Sequence, residues 1–240
     1  MKPERLDKVL SNMGIGSRSE LKKIVRDGLV SVNGVVVFNP ALHVDPVSDV
    51  IRVADEKVSY RKFIYLMMHK PEGYVSSTDE PGKHTVVELI PETYAHFAPF
   101  PVGRLDIDST GMLLLTNDGE LAHRILSPRR HIEKEYIVTL DKQPDDSVAD
   151  SFLRGVVIDG GVCCKPSQLR LTADPLVVHV VLTEGKFHQI KRMFAALGFR
   201  VLALKRIRMG SLLLDETLEI GCVRELTAGE IALLTPAARD

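Results

Sequence analysis

Residues 101–119 read PVGRLDIDSTGMLLLTNDG, a charged turn running straight into a buried strand. Pro101-Val102-Gly103 is turn-prone. In Arg104-Leu105-Asp106-Ile107-Asp108, three charged residues alternate with two apolar ones. After Ser109-Thr110-Gly111 comes the apolar run Met112-Leu113-Leu114-Leu115, closed by the turn Asn117-Asp118-Gly119. The rest of the chain is arranged around this stretch. A carboxylate fixed at the mouth of a buried strand is costly unless it is paired, so Asp106 and Asp108 need an explanation.

The chain of 240 residues is long enough to bury a sizeable core and to form one or two domains. A formal net charge of −1 gives no global sign of nucleic acid, so any basic surface must be local. The cysteines are Cys163, Cys164 and Cys222. An odd number with two adjacent argues against a disulfide framework and for a reducing compartment. No Cys-x-x-Cys or His-x-x-x-His pair suggests zinc, and no metal is expected. The N-terminus lacks a signal-peptide apolar core, and no apolar run is long enough to span a bilayer. A soluble cytoplasmic protein is expected, with no membrane partner.

Upstream, Leu6, Val9, Leu10 and Met13 recur at helical spacing. Gly14 and Gly16 stop that helix. Ser17 and Glu20 stand at capping-box spacing for a second helix, whose apolar stripe is Leu21, Ile24 and Val25. Asn33-Gly34 between β-branched runs predicts a hairpin, and residues 50–53 a further strand. The result is a helix–helix–hairpin unit. Residues 54–62, polar and without period, read as a linker. Lys2, Arg5, Lys8, Arg18, Lys22, Lys23 and Arg26 outnumber Glu4, Asp7, Glu20 and Asp27 in residues 1–28. Charge alone reads as a solvated helical face.

Beyond the linker, strands are expected over 63–68, 132–140 and 176–182, and helices over 148–153 and 184–198. In the strand 132–140, Lys134, Tyr136 and Val138 share a face. Strands and helices mix without a βαβ rhythm, so the class is α+β. Lys186, Lys191, Arg192, Arg200, Lys205, Arg206 and Arg208 lie in residues 185–208, which contain no acid. Without counter-ions of its own, this run points to an anionic partner.

Three readings of Asp106 and Asp108 compete. They are a turn carboxylate and a helix cap, or a general acid–base pair as in glycoside hydrolysis, or a nucleophile acting on a nucleotide beside a cation. The chain has no Trp and few aromatics, which disfavours a sugar platform. A P-loop and a dinucleotide fingerprint are also absent.

The pattern RLDKVL…GIGSRSELKKIVRDGLVSVNG, over about residues 3–53, closely resembles the S4 RNA-binding domain. HKPEGYVSSTDE, PVGRLDIDSTGMLLLTNDG, EKEYIVTL and EGKFHQIKRMFAALG together resemble the pseudouridine synthases of the ribosomal small-subunit type, in the family's order. The resemblance implies an S4 domain at 1–57. It is followed at 62–240 by a catalytic domain of pseudouridine synthase type on a mixed, mainly antiparallel sheet. It implies that one uridine of 16S rRNA, that at position 516, becomes pseudouridine without cofactor or metal. It makes Asp106 the catalytic carboxylate and Tyr136 the residue stacked on the target base. Lys191 becomes the partner of the Asp, ahead of Arg192. RNA contacts are expected from Arg5, Lys8, Arg18, Lys22, Lys23, Arg26, Arg104, Lys186 and Arg192. His69 departs from relatives that often carry Asn before Lys-Pro. The expected partner is 16S rRNA or the assembling small ribosomal subunit, met by a monomer. The alternatives are a sister synthase acting on 23S rRNA and a non-catalytic S4-type rRNA-binding protein.

Overall fold

The computed structural model describes residues 3–127 and 130–234. Its contacts divide the chain into two units. One is Met1–Ile64 with Pro91–Ala98, and the other is Tyr65–Ile90 with Pro99–Asp240.

In the first unit, β1 (Glu4–Arg5) leads into α1 (Leu6–Asn12) and then α2 (Arg18–Arg26). The Ser17 hydroxyl accepts from the Glu20 N–H, and the Glu20 carboxylate accepts from the Ser17 N–H, so the expected capping box forms. β2 (Val30–Val32) and β3 (Val35–Val36) make the hairpin. Its turn residues Asn33 and Gly34 both have positive φ, 53° and 81°, as a two-residue turn of the right twist demands. β4 (His43–Val44) pairs with β1, and β5 (Ile51–Val53) with β2. β6 (Glu56–Lys57) folds back on β5, so the segment expected as a linker begins as a second hairpin. A polar run without period reads alike for a tight turn and for a linker. Leu6, Val9, Leu10, Leu21, Val25, Val30, Val44 and Ile51 form the core. The short helix α3 (Glu92–Ala95) lies within the excursion 91–98, which the linear boundaries at 57 and 62 leave out.

The second unit is built on a large mixed sheet. In chain order come β7 (Tyr65–Lys70), β8 (Phe100–Val102), β9 (Thr110–Thr116), α4 (Gly119–Leu126), β10 (Lys134–Leu140), α5 (Asp146–Arg154) and the small hairpin β11 (Val157–Ile158) with β12 (Val162–Cys163). Then follow β13 (Gln168–Leu171), β14 (Val177–Leu182), α6 (Gln189–Ala196), β15 (Val201–Met209), β16 (Leu212–Leu213), β17 (Val223–Glu225) and α7 (Ala228–Leu234). The strand order is β13-β14-β10-β15-β9-β7-β17, with β16 on β15 and β8 on β9. Neighbours are antiparallel except β15 and β9, which run parallel. The α+β class and the mixed, mainly antiparallel sheet are as expected.

Strand β9 is buried almost throughout, as its apolar run foretells. Met112 and Leu114 join Leu121, Ala122 and Ile125 of α4 in one core. Two elements differ from expectation. The strand read as 63–68 lies two residues later, because its ladder with β9 runs from Tyr65 opposite Thr116 to Lys70 opposite Gly111. The helix read as 184–198 starts at Gln189. His188 sits at φ 48°, a left-handed conformation that no helix can pass through.

Candidate active site

The loop between β8 and β9 carries both aspartates, and side chains from β7 and the following segment fix its backbone. Residues 106–109 form a turn closed by the Ser109 N–H donating to the Asp106 carbonyl at 3.1 Å. The Leu105 N–H donates to the Ser76 hydroxyl, which in turn donates to the Leu105 carbonyl, both at 3.0 Å. The Gly73 N–H reaches the Ile107 carbonyl at 2.8 Å. Beneath the turn lies Lys70, fully buried at the end of β7. Its Nζ donates to the carbonyls of Pro71 at 2.9 Å, Asp106 at 3.1 Å and Ser109 at 2.9 Å. A buried ammonium is costly, and carbonyl oxygens are what can hold it. Burial pulls the Lys70 pKa down to about 8, against the opposing pull of Asp108 and Asp106.

Lys191, near the start of α6, closes the site from the other side. Its Nζ stands 3.4 Å from Asp106 Oδ2 and also hydrogen-bonds Asp108 Oδ1. Burial works against the Asp108 carboxylate, but its bond and charge contact with Lys191 prevail and hold its pKa below the usual range. The Asp106 side chain is 24 % exposed and that of Asp108 63 %. His188 brings Nε2 to 3.6 Å from Asp106 Oδ1. Asp106 is therefore half-sheltered between a lysine and an imidazole, on a backbone that is tied on every side.

Tyr136 is buried on β10, opposite Arg206 of β15. Arg206 in turn stands beside Gly111 of β9 across the parallel joint. Two strand spacings, about 10 Å, thus separate the Tyr136 backbone from the strand that begins at Thr110. Among the described residues no hydrogen bond joins Tyr136 to Asp106 or Lys191. The structure therefore couples Asp106 to Lys191 directly, and relates Tyr136 to the strand after the aspartate turn only through the register of β10, β15 and β9. Lys70, Ser76 and His188 were missed as site residues by sequence reasoning. A lysine ending an apolar strand is a faint signal for the first, and no spacing marks the other two.

The basic run 185–208 finds several counter-ions, one just before it and others distant in sequence. Lys186 pairs with Glu184, and Arg192 with Asp159 at 3.1 Å. Arg208 bonds Glu135 at 2.8 Å and Glu133 at 3.0 Å. Arg206 is buried, with Nε donating to the Met112 carbonyl at 2.8 Å. Much of the run's charge is thus met within the molecule, while Arg200 and Lys205 have no salt bridge among the described residues. In the first unit, Arg5 pairs with Asp7 at 2.7 Å and Lys8 with Glu4 at 2.9 Å. Arg18, Lys22, Lys23 and Arg26 of α2 are exposed, and no salt bridge among the described residues engages them. Arg104 is exposed where the aspartate loop begins. No group of three or more metal-ligating side chains occurs among the described residues, and none of their helices is long and apolar enough to cross a membrane.

Residues 64–196 match the family model for RNA pseudouridylate synthases, and residues 4–51 match that for the S4 domain. An uncharacterized RNA pseudouridine synthase of Bacillus subtilis is 45% identical over 233 residues, 96% of this chain and 98% of the relative. The ribosomal small subunit pseudouridine synthase A of Escherichia coli is 40% identical over 229 residues, 95% of this chain and 98% of the relative. A crystal structure of a pseudouridylate synthase superposes with a TM-score of 0.68 at 36% identity, covering 96% of this chain and 99% of that one.

Proposed function

The chain belongs to the RNA pseudouridylate synthase family, whose members are isomerases, and on that premise we propose that it acts on ribosomal RNA of the small subunit. The target is one uridine of 16S rRNA, at position 516, free or in the assembling subunit. The observation that carries this reading is the carboxylate of Asp106. It is fixed on a pinned loop, beside a lysine, inside the segment that matches the family.

The reaction breaks the bond between N1 of the base and C1′ of the ribose and forms one between C5 and C1′. Every heavy atom stays in the nucleotide, C5 loses a proton and N1 gains one, so the step is an isomerisation that needs no cofactor. The uridine must first leave its stack to reach a half-sheltered side chain. Asp106 then acts as the nucleophile. Lys191, with Nζ 3.4 Å from Asp106 Oδ2, holds the attacking carboxylate in place. Tyr136 stacks against the extruded base and is placed for proton transfer. Arg104, exposed two residues before Asp106, meets the displaced nucleotide or its phosphate. Lys186 and Arg192 reach phosphates in exchange for Glu184 and Asp159. The four exposed cations of α2, with Arg5 and Lys8, hold the RNA elsewhere through phosphate, which positions without specifying sequence.

Asp106→Asn should abolish tritium release from C5-labelled uridine in 16S rRNA while leaving RNA binding in place, measured by filter retention. Retained turnover in that variant would sink the assignment. A second reading is action on 23S rRNA, which the 45% identity to a Bacillus subtilis RNA pseudouridine synthase fits equally well. Reverse-transcription mapping of pseudouridine in rRNA from a deletion strain separates the two: a missing stop in 16S rRNA supports the first, in 23S rRNA the second.

A further inference from the structure

Phe187 is a large apolar ring held out in solvent beside the reacting carboxylate. It is 67 % exposed. Its ring lies on that of His188, centroids 3.8 Å apart and planes 18° from parallel. His188 is the residue whose Nε2 approaches Asp106 at 3.6 Å. With one face covered by the imidazole, the exposed area of Phe187 lies on the opposite face and the edge.

The surrounding backbone is built to hold the ring there. The Lys186 N–H donates to Gln189 Oε1 at 2.8 Å, and buried Gln189 donates back to Glu184 at 2.6 Å. Arg192 Nη1 donates to the Phe187 carbonyl at 3.2 Å. His188 adopts φ 48°, an uncommon conformation for a residue with a side chain and one that persists only where its surroundings enforce it. A chain with 5% aromatic residues thus places one in an exposed position at its reacting centre.

We propose that Phe187 is a stacking platform for an unpaired nucleobase that flanks the target uridine. This rests on the proposed action on RNA. Extruding one nucleotide leaves its neighbours without a stacking partner, and an aromatic face replaces it for any base. Lys186, Lys191 and Arg192, which flank the ring in sequence, are paired with Glu184, Asp106, Asp108 and Asp159, so what the surface offers a flanking nucleotide here is the ring face itself. His188 is then the layer between platform and carboxylate, which sets the flanking base one stacking step outside it.

The test is steady-state tritium release from a C5-labelled 16S rRNA transcript. Phe187→Ala should raise KM roughly tenfold or more, with the loss falling on KM more than on kcat. Phe187→Trp should restore KM, and Phe187→Leu, apolar but without a π-face, should not. Abasic substitution at each nucleotide beside the uridine identifies the base: at one position the wild type loses affinity and Phe187→Ala loses no more. Leu restoring KM as well as Trp, or every abasic position acting alike on both proteins, overturns the platform. An active wild type matched by Phe187→Ala overturns the platform alone. A wild type that releases no tritium from the transcript, either free or assembled with small-subunit proteins, overturns the substrate and the platform with it. Unchanged thermal unfolding of the variants guards against a folding defect.

Discussion

Lys70 is a charge placed where charges are costly, and what it secures is the geometry of Asp106. Its ammonium bridges carbonyls of the aspartate turn, so Asp106 cannot shift without breaking one of these bonds. Folded Lys70 releases its proton near pH 8, whereas in the unfolded chain it does so near 10.5. Between those values the unfolded chain binds more protons, so this group makes folding stability rise with pH across that window. Lys70→Met should remove that rise, seen as a flatter urea-unfolding free energy between pH 8 and 10.5 than in the wild type. Equal slopes for the two proteins would show that Lys70 does not carry the shift. In the sequence Lys70 was visible only within the motif HKPEGYVSSTDE, because burial of a lysine cannot be read from its neighbours. Asp106 and Asp108 were legible as a pair with two equivalent members. The structure gives Lys191 to both, and it is the family motif that singles out Asp106.

At the scale of elements, the parallel joint between β9 and β15 is the tightest constraint on the site. Gly111 adopts φ +104°, and a Cβ there would stand 2.2 Å from the Arg206 carbonyl oxygen. That separation is far inside van der Waals contact, with backbone on both sides, so neither strand can yield easily. Gly111→Ala should cost about 3 kcal/mol or more of stability, read as a fall in the urea midpoint. A loss under about 1 kcal/mol would mean that the joint can open. Helices and strands with a clear period were found where the pattern put them: α2 with its capping box, the Asn33-Gly34 hairpin, and α5 and β14. The misplaced start of α6 has a local cause. Residues 184–188 have helical composition, but Glu184, Lys186 and Gln189 bond one another and turn the chain at His188. Such local side-chain bonds compete with the helix and leave no mark in hydrophobic spacing.

For the molecule as a whole, a net charge of −1 conceals a division between paired and unpaired cations. Much of the charge of the run 185–208 is met within the molecule, whereas α2 keeps a bare basic face. Replacing Lys22 and Lys23 with Gln should weaken RNA binding for all sequences. It should also make the slope of log K against log salt shallower by about 0.7–0.9 for each phosphate that the variant no longer neutralises. An unchanged slope would show that α2 does not touch phosphate. The sequence by itself determined the class, the small N-terminal module, the buried strand that follows the aspartates and the motifs that carry the family. These are local matters of period, turn chemistry and residue order. Only the tertiary structure decided which charges face one another. It placed Lys191 against a carboxylate 85 positions earlier in the chain, Lys70 under the turn, and His188 with Phe187 at its side. Coulomb and hydrogen-bond energies depend on separation in space, and the sequence records only separation along the chain.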